Sequence, residues 1–221
     1  MSWEPLLRSF EVALIATVVA GALGVALAGL LTRRRFPGSG LVDALVTAPM
    51  VLPPTVLGYY LLVLLGRSSA LGGLYERVFG APIVFTQTGA VVAATVAALP
   101  FVVRSAKAAI EDVDVRFTGA ARTLGAGPWR VFTTIELPLS LAGITSGLTL
   151  GFARALGDFG VTLMIAGNIP GLTQTGALAI YDAVQANRDS QAAGMAAVMA
   201  AIAVAALTVV ARLTRARRHG F

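Results

Sequence analysis

Residues 113–138, VDVRFTGAARTLGAGPWRVFTTIELP, lie between strongly apolar segments yet cannot themselves cross a bilayer. Asp114, Arg116, Arg122, Arg130 and Glu136 are spread along the stretch, which leaves no uncharged window of about 20 residues. Val113, Phe117, Ala120, Ala121 and Leu124 recur at helical spacing, with Arg116 and Arg122 on other faces. That spacing predicts a short amphipathic helix, which Asp112 or Asp114 can cap. Gly125 suits the left-handed residue that ends such a helix, and Pro128 suits the first turn of the next one. The stretch reads as a helix–turn–helix elbow between two membrane segments.

The composition around it agrees. The chain has 221 residues, 57% hydrophobic and only 13% charged, which predicts an all-α, polytopic membrane protein. With no cysteine and one histidine, His219, disulfides, thiolate metal sites and haem are not expected. The single lysine, Lys107, sits in FVVRSAK without a glycine-rich lead, so no phosphate-binding loop is present. Any ATP and Mg that drive the protein are therefore expected on another polypeptide, with no cofactor on this one. No carboxylate pair, Ser/His/Asp set or metal-spaced cluster supports an enzyme. The net charge of +6 needs no nucleic-acid partner, because basic residues collect on the cytoplasmic side of membrane proteins. The first apolar run is too long for a cleavable signal and lacks a basic leader, so it reads as a retained span.

Five spans are predicted, at about residues 12–32, 44–66, 86–106, 139–157 and 190–212, with the elbow at 111–138. Ala20, Gly24 and Ala28 form a small-residue stripe on the first, and Gly143, Gly147 and Gly151 form another on the fourth. Pro49, Pro53 and Pro54 predict a bent second span with freed carbonyls. That bend either faces a transport path or serves packing alone. Residues 67–82 read as a short polar loop. A helix running on from residue 139 to 167 would be about 43 Å long, so a break is expected near Gly157 and Gly160. Arg154 and Asp158, four residues apart, are the charges placed in or near hydrocarbon. They are either an ion pair fixing that break or an electrostatic element of an anion path.

Orientation follows from the basic residues. With the N-terminus outside, Arg33, Arg34, Arg35, Arg104, Lys107, Arg116, Arg122, Arg130, Arg212, Arg215, Arg217 and Arg218 lie inside. Only Arg8, Arg67, Arg77 and Arg188 lie outside. This asymmetry predicts an internal C-terminus and opposes a sixth span over residues 159–181.

Two stretches carry a family resemblance. Ala120-Ala121, three residues, Gly125, nine residues and Ile135-x-Leu137-Pro138 resemble the coupling loop of ABC-importer permeases, with Gly119 at the family's glutamate position. The resemblance assigns ATPase coupling to Phe117, Ala120, Ala121, Arg122, Leu124, Gly125 and Ala126. The run GDFGVTLMIAGNIPGLTQTGALAIY, residues 157–181, resembles the molybdate permeases, with Asp158 in place of a glutamate. Sulfate permeases are similar around Ala153 and Arg154 but differ through residues 167–175.

The resemblance implies a homodimer in the cell membrane with two cytoplasmic ABC ATPase subunits and an external molybdate-binding protein. It implies import of molybdate, and of tungstate with it, by alternating access. Pro53, Pro54, Arg154, Asp158 and Asn168 are the candidates for pathway or gate. A sulfate or thiosulfate permease, an ion-coupled secondary transporter and a non-transporting membrane subunit are the alternative readings.

Overall fold

Glycine and alanine rows decide how these helices stack. A computed structural model describes residues 3–33 and 37–218; Arg34, Arg35 and His219 lie outside the described residues. The described residues form helices α1 (Glu4–Arg33), α2 (Ser39–Val51), α3 (Pro54–Leu65), α4 (Ala70–Phe79), α5 (Gln87–Glu111), α6 (Val115–Thr123), α7 (Pro128–Val131), α8 (Leu137–Leu156), α9 (Gly160–Ala166), α10 (Gly176–Gln185) and α11 (Asp189–Arg218). A π-helical turn, Phe132–Glu136, joins α7 to α8. No strand occurs among the described residues.

The centre of the bundle is α5, which packs on α1, α8, α9 and α2. Its buried face is small: Ala90, Ala94, Ala98 and Ala106 let neighbouring backbones come close. The stripe predicted on α1 meets it, with Ala20 and Ala28 fully buried and Gly24 against Val102. The glycine row on α8 does the same from the other side. A Cβ at Gly143 would stand 2.4 Å from that of Ala109, and one at Gly147 would stand 2.7 Å from that of Ser105. Gly147→Val should therefore overpack the α5–α8 interface, at a cost of about 1–3 kcal/mol. The check is a lowered thermal midpoint in detergent. Gly119→Ala, with open space around it, should leave that midpoint unchanged or slightly raised.

The expected single bent helix over residues 44–66 is instead two helices. Pro54 brings no N–H, and the ring of Pro53 pushes Leu52 to φ −69° and ψ 139°, so α2 stops and α3 starts afresh. Residues 67–82 are likewise not a plain loop. Ser69 caps α4 by accepting from the Gly72 N–H at 2.9 Å, and Leu71, Leu74 and Val78 line one face. Four described helices, or helix pairs in line, are long and apolar enough to cross a membrane, ending with residues 189–208. There are five if α3 and α4, bent by 61°, count as one span.

The predicted break in the fourth span falls at residues 157–159, between α8 and α9. At its other end α8 is continuous with the elbow. Helix runs from Pro128 through the π turn to Leu156, so the segment begins eleven residues before residue 139.

Candidate functional site

Local hydrogen bonds close both ends of the elbow's first helix. Asp114 closes the start of α6, its carboxylate accepting from the Arg116 N–H at 2.8 Å and from the Arg116 guanidinium at 2.6 Å. The Arg116 guanidinium holds the Asp114 carboxyl below its ordinary value, helped by the backbone bond, and the carboxylate in turn raises Arg116. A depressed carboxyl acts in one direction only. The cap is complete above the ordinary carboxylate range and is lost as pH falls through the lowered value, so it is unaffected near neutrality.

The far end of α6 closes on Gly125. Its N–H donates to the Arg122 carbonyl at 3.0 Å, and the Ala126 N–H reaches back to Ala121, also at 3.0 Å. This double bond pattern needs a left-handed residue between, and Gly125 has φ +82°. Pro128 then starts α7.

What the elbow shows to its surroundings is apolar. Leu124 is 88% exposed, Val115 76% and Phe117 57%, with Ala120 and Arg122 exposed beside them. Ala121 and Ala126 are half-buried under the turn. Large exposed apolar groups rimmed by charge are the kind of surface that can take a partner. A side chain at Gly119 would meet nothing within 4 Å, so the position can carry one. Sequence reasoning did not single out Val115 or Trp129, although both are large, apolar and exposed.

The second set of candidates gathers at the break. Pro54 lies against Gly160, where a Cβ would come within 2.8 Å of its ring, and Gly58 lies against Met164 and Val161. Pro53 caps α3 immediately beforehand. The structure thus brings the proline pair to the start of α9, two residues after Asp158.

Asp158 itself is fully occupied. One carboxylate oxygen accepts from Arg154 at 3.0 Å; the other accepts from the Thr162 N–H at 3.0 Å and the Thr162 hydroxyl at 2.7 Å. The Asp158 side chain is 1% exposed and that of Arg154 29%. The carboxylate therefore ties the last turn of α8 to the first turn of α9, which is the geometry of the ion-pair reading. Arg154 keeps an open side.

Asn168 is not part of that cluster. Its amide donates to Asp182 at 2.7 Å, and Gln174 donates to both Asp182, at 2.7 Å, and Asn168, at 3.1 Å. The guanidinium of Arg8 donates to the carbonyls of Gly171, at 2.9 Å, and Leu172. Ser9 accepts from the Gly176 N–H at 2.7 Å. Residues 167–176 are thus pinned by α10 on one side and by the start of α1 on the other. Asp182 and Arg8 were missed in the sequence; Asn168 and Gln174 in an otherwise apolar stretch were the signal that a polar partner exists.

A helical membrane bundle that presents an exposed apolar elbow has the form of an importer permease. The chain belongs to the family described as binding-protein-dependent transport system inner membrane component, whose model matches residues 20–218. It is a multi-pass inner-membrane protein. It is 43% identical over 219 residues to the molybdenum transport system permease protein ModB of Escherichia coli K12, covering 97% of this chain and 96% of that one. Against the sulfate transport system permease protein CysT of the same organism it is 36% identical over 173 residues, 78% of this chain and 62% of that one. Among solved structures, the inward-facing MetNI methionine ABC transporter matches with a TM-score of 0.70 at 20% identity, covering 98% of this chain and 99% of the other. That likeness is one of fold.

Proposed function

We propose that this chain is the permease of an ATP-driven molybdate importer. The observation that carries the reading is the extent of its likeness to ModB, which runs almost end to end, whereas the likeness to the sulfate permease is weaker and shorter. Two copies enclose the path, since one subunit of this size has little interior. Two ATPase subunits, holding ATP and Mg, dock on the elbows, and an external binding protein delivers the anion. Closure of the ATPases moves the elbows and, through the continuous helix from Pro128 to Leu156, the break at Asp158. Tungstate, with the same shape and charge, is carried too.

The orientation proposed has the N-terminus outside and the elbow inside. Cysteines introduced in this cysteine-free chain at Gly127 and Leu172, both exposed, should be labelled from the cytoplasm and from outside respectively. Labelling of Leu172→Cys from the cytoplasm would sink this orientation. For the substrate, the complete transporter in vesicles should take up molybdate on ATP addition, with tungstate competing and sulfate not. Sulfate uptake that excess molybdate leaves untouched would refute the assignment. Uptake that persists without ATP hydrolysis would favour an ion-coupled carrier instead.

A further inference from the structure

Within this chain α2 is held lightly. None of its residues is buried, and its main neighbour is α5. Both of its ends can turn. Gly38 precedes it at φ +98° with nothing within 4 Å of where a Cβ would be, and glycine takes other backbone conformations there at little cost. After Val51 the chain leaves the helix at Leu52, and Pro53 and Pro54 bring no N–H that could join α2 to α3 as one rod.

One ion pair spans α2 and α5. Asp43 is the single charge on α2, and its Oδ2 stands 3.5 Å from Nζ of Lys107, the single lysine of the chain. Lys107 is 28% exposed and Asp43 35%, so water screens the pair and it parts readily. Lys107 also has a second carboxylate in reach. Glu111 lies four residues further along α5, exposed and in no ion pair among the described residues. Side chains at that spacing meet on a helix, although lysine before glutamate is the weaker order. The flexible four-carbon stem of lysine lets its ammonium swing from one partner to the other.

We infer that Lys107 is an exchange switch for α2. Paired with Asp43, it holds α2 against α5. Paired with Glu111, it keeps a carboxylate partner while α2 is free to swing on Pro53 and Pro54. The far side of that pivot already touches the break in the fourth span, because Pro54 packs on Gly160, two residues after Asp158. A swing of α2 is thereby passed to the junction of α8 and α9. The inference rests on the reading of this chain as a permease that alternates between two states.

The test tethers the switch in the complete transporter. Asp43→Cys with Lys107→Cys, in this cysteine-free chain, is joined by a short thiol-reactive linker that a reductant cleaves. Molybdate uptake into vesicles should fall at least about tenfold on tethering and return on cleavage, with the natural chain treated alike as control. Tethered complex that transports as fast as untethered overturns the inference. A second measurement does not depend on that variant being active. Val46 is half-buried on the Asp43 face of α2, so the reaction of Val46→Cys with a maleimide follows departure of α2 from α5. Asp43→Asn or Lys107→Gln should speed that reaction about fivefold, the shift a partly exposed ion pair supplies. Asp43→Glu should leave the rate near that of Val46→Cys alone, and Glu111→Gln should slow it. Equal rates in all four backgrounds also overturn the switch. Uptake by the natural chain separates the two claims: if it carries molybdate on ATP and the tether is without effect, only the switch fails.

Discussion

Gly125→Val is expected to lower ATP-driven molybdate uptake by at least about tenfold while the permease stays in the membrane at wild-type level. The cause is local backbone conformation. Gly125 sits at φ +82° with nothing within 4 Å of where a Cβ would be, so crowding is not involved. A β-branched residue held there is strained by something of order 1–3 kcal/mol. Relief comes from opening the turn, which breaks the bonds from Gly125 to Arg122 and from Ala126 to Ala121. That changes the angle between α6 and α7 and displaces Leu124, the most exposed apolar residue of the elbow.

A graded series separates this cause from others. Gly125→Asn, which tolerates a left-handed backbone, should transport best; Gly125→Ala should be intermediate and Gly125→Val worst. Gly127→Ala, at φ −69° and in open space, should transport normally. ATP hydrolysis should lose its response to the loaded binding protein in parallel with uptake. Arg122→Glu should weaken coupling to a lesser degree through charge alone. Normal transport by Gly125→Val at wild-type abundance would remove the elbow from the mechanism.

The elbow could be read in advance because its signals are local. Asp114, Gly125 and Pro128 each fix a backbone conformation within a few residues, and each stands where that conformation is needed. The α5–α8 interface was half-readable: the spacing of Gly143, Gly147 and Gly151 announces a close approach without saying to what. Other features depend on partners far along the chain. The pinning of residues 167–176 requires Arg8, more than 160 residues away, and Asp182 on another helix. Nothing in the spacing of either residue points to the other. The division of residues 44–66 was misjudged for a different reason. One proline can stand inside a helix, as Pro49 does in α2, but a Pro-Pro pair removes two donors and forces the preceding residue out of the helical region. The π turn ahead of α8 had no sequence signal at all; its first residue, Phe132, packs against Gly29 of a helix about 100 residues earlier in the chain.

The second large effect is expected at the break. Asp158→Ala should destabilise the permease by about 3 kcal/mol, because it leaves Arg154 without its partner and the Thr162 N–H and hydroxyl without their acceptor. Arg154→Gln should cost distinctly less. Its side chain is 29% exposed, and Asp158 would keep both bonds from Thr162. Arg154→Gln combined with Asp158→Ala should be more stable than the two losses added together, since no lone charge remains. Thermal unfolding in detergent, compared across the four proteins of this cycle, measures the coupling. Uptake by the double variant then assigns the role. If Arg154 and Asp158 serve only to hold α8 against α9, the double variant should carry molybdate at a rate set by its stability alone. A rate well below that, with the fold intact and ATP hydrolysis still stimulated, would place the open side of Arg154 on the anion's route. The ion pair would then be a hinge and a passing contact at once, which the exposure difference between its two members already permits.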